Sequence, residues 1–151
     1  MNLSLVSQKP SSPTTLGVLA ALRAASEESD YVTEVRVAQP QQWQPSKDEA
    51  AILLLEEEGA AWPAPLWPAG GSALGLPVLP LLVHRQYEHA PQGPDVRDPH
   101  FYFVSNGILL DEAELADPAC SLVLQSKFES YFPLLSRLIL LRQRQPGGLS
   151  S

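Results

Sequence analysis

Two uninterrupted apolar runs, Ile52–Leu55 and Leu76–Val83, limit the fold of this chain more than any other feature. A strand with one wet face alternates apolar and polar residues, whereas a continuous run has no side to show water. Such runs belong to parallel strands inside an α/β sheet that is covered on both faces. Pro77 and Pro80 fall within the second run. Proline cannot donate to a ladder, so both must sit at the start of the strand or at a bulge.

The flanking sequence supplies the rest of an α/β unit. Leu3–Ser7 reads as a first strand and Gln8–Thr14 as a loop. Thr14 or Thr15 is placed to cap a helix running to about Ser26, with Leu16, Leu19, Ala20 and Leu22 on one side. Tyr31–Val37 alternates Val32, Val35 and Val37 with Thr33, Glu34 and Arg36, which predicts a second strand. Gln39–Lys47 is a turn-rich connection, with one helical turn expected around Asp48.

Towards the end, Asn106-Gly107 lies between apolar segments and predicts a type I′ hairpin; the alternative is one strand ending at Ser105. Asp117-Pro118 reads as a helix cap with proline at the first helical position, and Ser126-x-x-Glu129 as a second start signal. The final helix carries Phe128, Tyr131, Phe132, Leu135, Leu138 and Ile139 on one face. Leu134, Leu140 and Leu141 widen that face until the helix is apolar nearly all round, which predicts burial in the domain or against a partner. Pro133 should kink this helix or mark its true start. Together these elements predict an α/β fold, a single three-layer domain over residues 1–145 with a mostly parallel central sheet, and a flexible tail over 146–151. An α+β domain with a terminal antiparallel hairpin is the alternative.

Charge and cysteine content narrow the function. The net charge is −7, and the ten basic residues are spread thinly apart from Arg137, Arg142 and Arg144. A phosphate-tracking cleft needs clustered cations, so nucleic acid is not an expected partner, and neither is an anionic membrane surface. Cys120 is the sole cysteine, which excludes an internal disulfide and a cysteine metal site. Met1–Lys9 lacks the features of a signal peptide, and no apolar run reaches the ~18 residues of a membrane span, so a cytoplasmic location is expected.

The candidate chemistry is sparse. His84, His89 and His100 share one polar stretch with Asp95 and Asp98, just after the Leu76–Val83 run. Zinc and acid–base sites use such groups, but His84 and His89 are not at helical i, i+4 spacing, and a solvated loop is the ordinary reading. His84, His89, His100 and Asp95 stand as the catalytic candidates. Glu56, Glu57 and Glu58 follow a strand, where neighbouring side chains point to opposite faces and do not converge. Gly70–Gly75 lacks the Lys-Ser/Thr ending of a phosphate loop and reads as a turn. Cys120 has no basic neighbour in sequence and reads as a buried, inert thiol. No metal centre and no bound cofactor are expected. Trp43, Trp62 and Trp67 sit in proline-rich connections, where they either cover the sheet or form an interaction patch.

The order of Leu3–Ser7, Tyr31–Val37, Ala51–Leu55, Leu76–Val83 and the closing helix resembles the flavodoxin-like signalling domains, namely receiver and Toll/interleukin-receptor (TIR) domains. The fourth of these segments, Leu76-Pro77-Val78-Leu79-Pro80-Leu81-Leu82-Val83, looks like the Pro-Val-Ile-Pro-Val strand of bacterial TIR domains. Ser7-Gln8 stands where receivers carry an acidic pair, and Glu56-Glu57 stands at the place of their phospho-accepting aspartate. Trp62–Gly75 contains no glutamate at the position of the TIR-type NAD hydrolase acid. The resemblance therefore implies a catalytically degenerate member.

The expected function is a non-enzymatic protein–protein interaction domain acting as an adaptor, regulator or assembly subunit. Its expected partner is another protein or a second copy of itself, met through Trp43, Trp62, Trp67, Leu134 and Leu141. Two alternatives remain: a small hydrolase or metal-dependent enzyme using the His84–His100 loop, and a structural subunit of a phage-tail or secretion-type particle.

Overall fold

The computed structural model describes residues 1–56, 75–84, 97 and 100–144. Its strands are β1 (Asn2–Ser7), β2 (Glu34–Ala38), β3 (Glu49–Leu55), β4 (Leu76–His84), β5 (Phe101–Phe103) and β6 (Ile108–Asp111). The α-helices are α1 (Pro13–Glu27) and α2 (Pro118–Arg144), and short 3-10 turns occupy Pro40–Gln42 and Glu112–Ala116. All strand pairs are parallel, in the order β2-β1-β3-β4-β5, with β6 also pairing β4. This is the mostly parallel α/β sheet that the apolar runs predict.

Alternation along the central strands separates two cores. Leu3, Leu5, Ile52, Leu54, Leu79 and Leu81 share one cluster with Val18 and Leu22 of α1 and Leu124, Phe128, Phe132 and Leu135 of α2. Val6, Ala51, Leu53, Leu76 and Val78 form the second cluster, with Trp43 and Phe101. The Trp43 and Phe101 rings stack with centroids 6.3 Å apart and planes within 6°. Every residue of β3 is buried, as expected for a strand covered on both sides.

The terminal hairpin does not form. Leu76–Val78 of β4 pairs with β5, and Leu81–His84 pairs with β6, both in the parallel sense. β5 and β6 thus act as one interrupted edge strand, and Asn106-Gly107 lies in the excursion between them. Pro80 explains the interruption. Leu76 N–H donates to His100 O and Val78 O accepts from Val104 N–H, so the even-numbered residues of β4 point their backbone groups at this edge. Pro80 points the same way without a donor, and it stands between the two paired stretches. Pro77 precedes the β3 ladder, which begins at Val78.

Gly107 fits the excursion because its φ is +132° and a Cβ there would lie 2.8 Å from Leu82 Cδ1. The positive φ favours glycine, and a Cβ would also force the Leu82 side chain to shift. Gly107→Ala is expected to cost about 1–3 kcal/mol, read as a melting temperature lower by roughly 3–10 °C. An unchanged melting temperature would show that the excursion relaxes freely.

The helix starts follow two different rules. Ser12, rather than Thr14 or Thr15, caps α1: its Oγ accepts from Thr15 N–H at 3.0 Å, and Pro13 follows at the first turn. Asp117 caps α2 through Ala119 N–H at 2.9 Å, with Pro118 beginning the helix. The Ser126 signal falls inside α2. So does Pro133, which the helix passes through without ending. Pro133 is exposed, and its missing N–H leaves the Glu129 carbonyl without its helical donor.

α2 is not buried all round. Leu124, Phe128, Phe132, Leu135 and Ile139 are buried, and Tyr131 and Leu138 are half-buried. Leu134, Leu140 and Leu141 are exposed.

Candidate functional site

Chain order places β2 on one side of β1 and β3 on the other, so the sheet has a topological switch point between β1 and β3. Ligands of open α/β sheets bind outside the carboxyl ends of the strands at such a point. Among the described residues this point holds the hydroxyls of Ser7, Ser12 and Thr15 and the carboxylate of Glu56. Thr15 Oγ1 donates to Lys9 O at 2.8 Å, and that uses its only proton. Ser7 Oγ must therefore donate across the 2.8 Å gap to Thr15 Oγ1, and it accepts from Lys9 N–H at 3.1 Å. Ser12 Oγ lies 3.0 and 3.1 Å from the two carboxylate oxygens of Glu56 and donates to that group. The β1–α1 loop is thus closed on itself, and the carboxylate at the N-terminus of α1 belongs to the protein. An incoming anion would meet Glu56.

A second polar cluster lies on the Trp43 side of the sheet. Glu49 opens β3 and is fully buried. Its carboxylate pairs with Arg36 Nη2 and accepts from Trp43 Nε1 at 3.0 Å. Arg36 aligns with Ser4 of β1, and Ser4 aligns with Ala51 of β3. Ser4 is small, so the long Arg36 side chain can pass over β1 to reach Glu49 two strands away, about 10 Å across the sheet. A cavity of about 550 Å³ adjoins this pair, lined in part by Ser4, Arg36 and Trp43.

The histidine stretch does not form one site among the described residues. His84 ends β4 beside Asp111 of β6, whereas His100 lies next to Leu76 at the start of β4. By the ~3.3 Å rise per residue, the two histidines stand roughly 25 Å apart at opposite ends of the strand. His89, Asp95 and Asp98 lie outside the described residues. Among the described residues no group of three His, Cys, Asp or Glu side chains could hold a metal ion.

Of the tryptophans, Trp43 is buried with 1% exposure and covers the sheet, so it is no docking patch; Trp62 and Trp67 lie outside the described residues. Cys120 is half-buried rather than buried. Desolvation raises its pKa, and the nearby charges of Glu114 and Asp117 push in the same direction against Lys127. This keeps the thiol protonated and unreactive. Among the described residues no helix is long and apolar enough to cross a membrane.

The sequence reading missed Arg36 and Glu49. Its strand began at Ala51 or Ile52, after a helical turn expected around Asp48, so Glu49 fell outside the strand, while Arg36 passed as the polar side of an alternating strand. An acid immediately before Ala50–Leu55 was the available signal, since a carboxylate joined to a run buried on both faces needs a partner. Comparison with known protein families, with curated proteins and with solved structures returns no match to this chain.

Proposed function

We propose that this chain is a non-enzymatic protein-interaction module whose docking surface is the outward side of α2. One observation carries this reading. Leu122, Val123, Leu134, Leu140 and Leu141 lie on one helix and remain exposed, from 42% at Leu134 to 66% at Leu122. At 3.6 residues per turn, Leu122 and Leu140 fall in one row and Val123, Leu134 and Leu141 in a second row roughly 100° around the helix. Arg137 and Arg144 lie between the rows, with Lys127 at the flank. The opposite side of α2 fills the core, so this stripe is surplus to folding.

Charge supports a particular partner. α2 holds four of the ten basic residues and one acid, in a chain of net charge −7. Two α2 faces brought together would oppose their arginines, so the fitting partner is a different protein with an apolar strip edged by carboxylates. The β2-β1-β3-β4-β5 order is also the flavodoxin-like one, which supports the resemblance to degenerate receiver-like or TIR-like signalling modules.

The test is a photo-crosslinking residue placed at Leu134 or Leu141 in the intact protein, with Ser29 as a control position. The captured protein is then purified and titrated. Leu134→Glu combined with Leu141→Glu is expected to weaken binding at least about tenfold, with a urea midpoint near that of the parent chain. Equal binding by parent and variant, or crosslinks to a second copy of the chain alone, would overturn the proposal.

A further inference from the structure

We propose that the cavity beside β2 binds a small organic oxyanion, a carboxylate or a phosphate ester, through Arg36. This site is independent of the α2 stripe. The cavity volume of about 550 Å³ lies inside the ~300–1,000 Å³ range of small-molecule pockets. Among the described residues Arg36 is the one charged residue on its lining, in a chain whose overall charge would otherwise repel anions.

The environment of Arg36 is built to hold a fork in place. Its Nη2 is gripped by a carboxylate with no solvent exposure, and the other oxygen of that carboxylate is held by the Trp43 indole. Glu49 is therefore an orienting group lying behind the guanidinium. The Arg36 side chain is still 46% exposed, and a guanidinium has five N–H donors, so donors remain for a ligand. A pre-oriented fork matches the two oxygens of a carboxylate or phosphate. Gln39, Gln42 and Gln44 add side-chain amides to the lining, while Pro10 and Ala38 add apolar wall for a short carbon body.

The test is an NMR titration of the full chain with sodium phosphate and, separately, sodium benzoate, at constant ionic strength against a sodium chloride blank. Saturable shifts around Arg36 and Gln42 are expected with at least one anion. Phosphate alone would assign phosphate esters, and benzoate alone would assign carboxylates. Arg36→Lys keeps a cation beside Glu49 but loses the fork, so it is expected to bind about tenfold more weakly. Gln42→Ala, at an exposed position, is expected to weaken binding about two- to fivefold without altering the urea midpoint. No saturation by either anion, or equal binding by Arg36→Lys, would overturn the proposal.

Discussion

Phe128→Ala is expected to destabilise the protein by about 3–5 kcal/mol and lower its melting temperature by roughly 10 °C or more. Phe128 has no solvent exposure and sits in the cluster that joins α2 to α1 and the sheet. Truncation removes the transfer energy of a phenyl ring and leaves a cavity among Leu, Val and Phe side chains that cannot close without moving a helix. Domains of this size are stable by only about 5–15 kcal/mol, so one residue accounts for a large share. Leu134→Ala, on the same helix but 42% exposed, is expected to stay within about 0.5 kcal/mol of the parent. Urea unfolding of both variants reads the contrast directly. Equal effects would mean that α2 presents a different face to the sheet.

The second large effect is expected from Arg36→Ala. Removing one member of a buried ion pair leaves the other as an uncompensated charge, at about 3–5 kcal/mol for a fully buried pair. Arg36 is half-exposed, which lets water share the load, so about 2–3 kcal/mol is expected here. Glu49→Gln keeps an acceptor for Trp43 Nε1 and releases Arg36 to solvent, so it should cost less, about 1–2 kcal/mol. A double-mutant cycle over the two positions should give a coupling of at least about 1 kcal/mol. Additive effects would show that Glu49 is stabilised by Trp43 and the backbone alone.

The two expected results bear on the two proposed surfaces from opposite sides of the sheet. The Phe128 contrast tests whether the exposed stripe of α2 is surplus to folding, as a docking face must be. The Arg36 cycle tests whether Glu49 holds the guanidinium rigidly enough to present a fork. A loose Arg36 would bind anions no better than any surface cation.

What this sequence determined by itself was the kind and order of its elements. Continuous apolar runs have no wet face, so Ile52–Leu55 and Leu76–Val83 had to become strands covered on both sides. Asp117-Pro118 had to start a helix, because a cap and a proline at the first turn act within a few residues. The constraint on Pro77 and Pro80 was equally local, since a missing N–H is missing in any fold.

Tertiary structure decided everything that depends on register or on distant partners. Asn106-Gly107 has the local chemistry of a hairpin, yet both flanking segments align parallel to β4, because pairing with a buried central strand outweighs the preference of two turn residues. Every leucine near the end of α2 reads as apolar, but only packing against β3, β4 and α1 selects which of them leave water. Histidines sixteen residues apart seem close in sequence, yet His84 stands at one end of β4 and His100 lies beside the other, because strand pairing and not sequence separation fixes their places. Arg36, Trp43 and Glu49 meet only because parallel register sets Arg36 beside the small Ser4 and brings β3 within reach. Such contacts carry no periodic signature, since their energy comes from long-range burial and charge pairing that exist only once the sheet has formed.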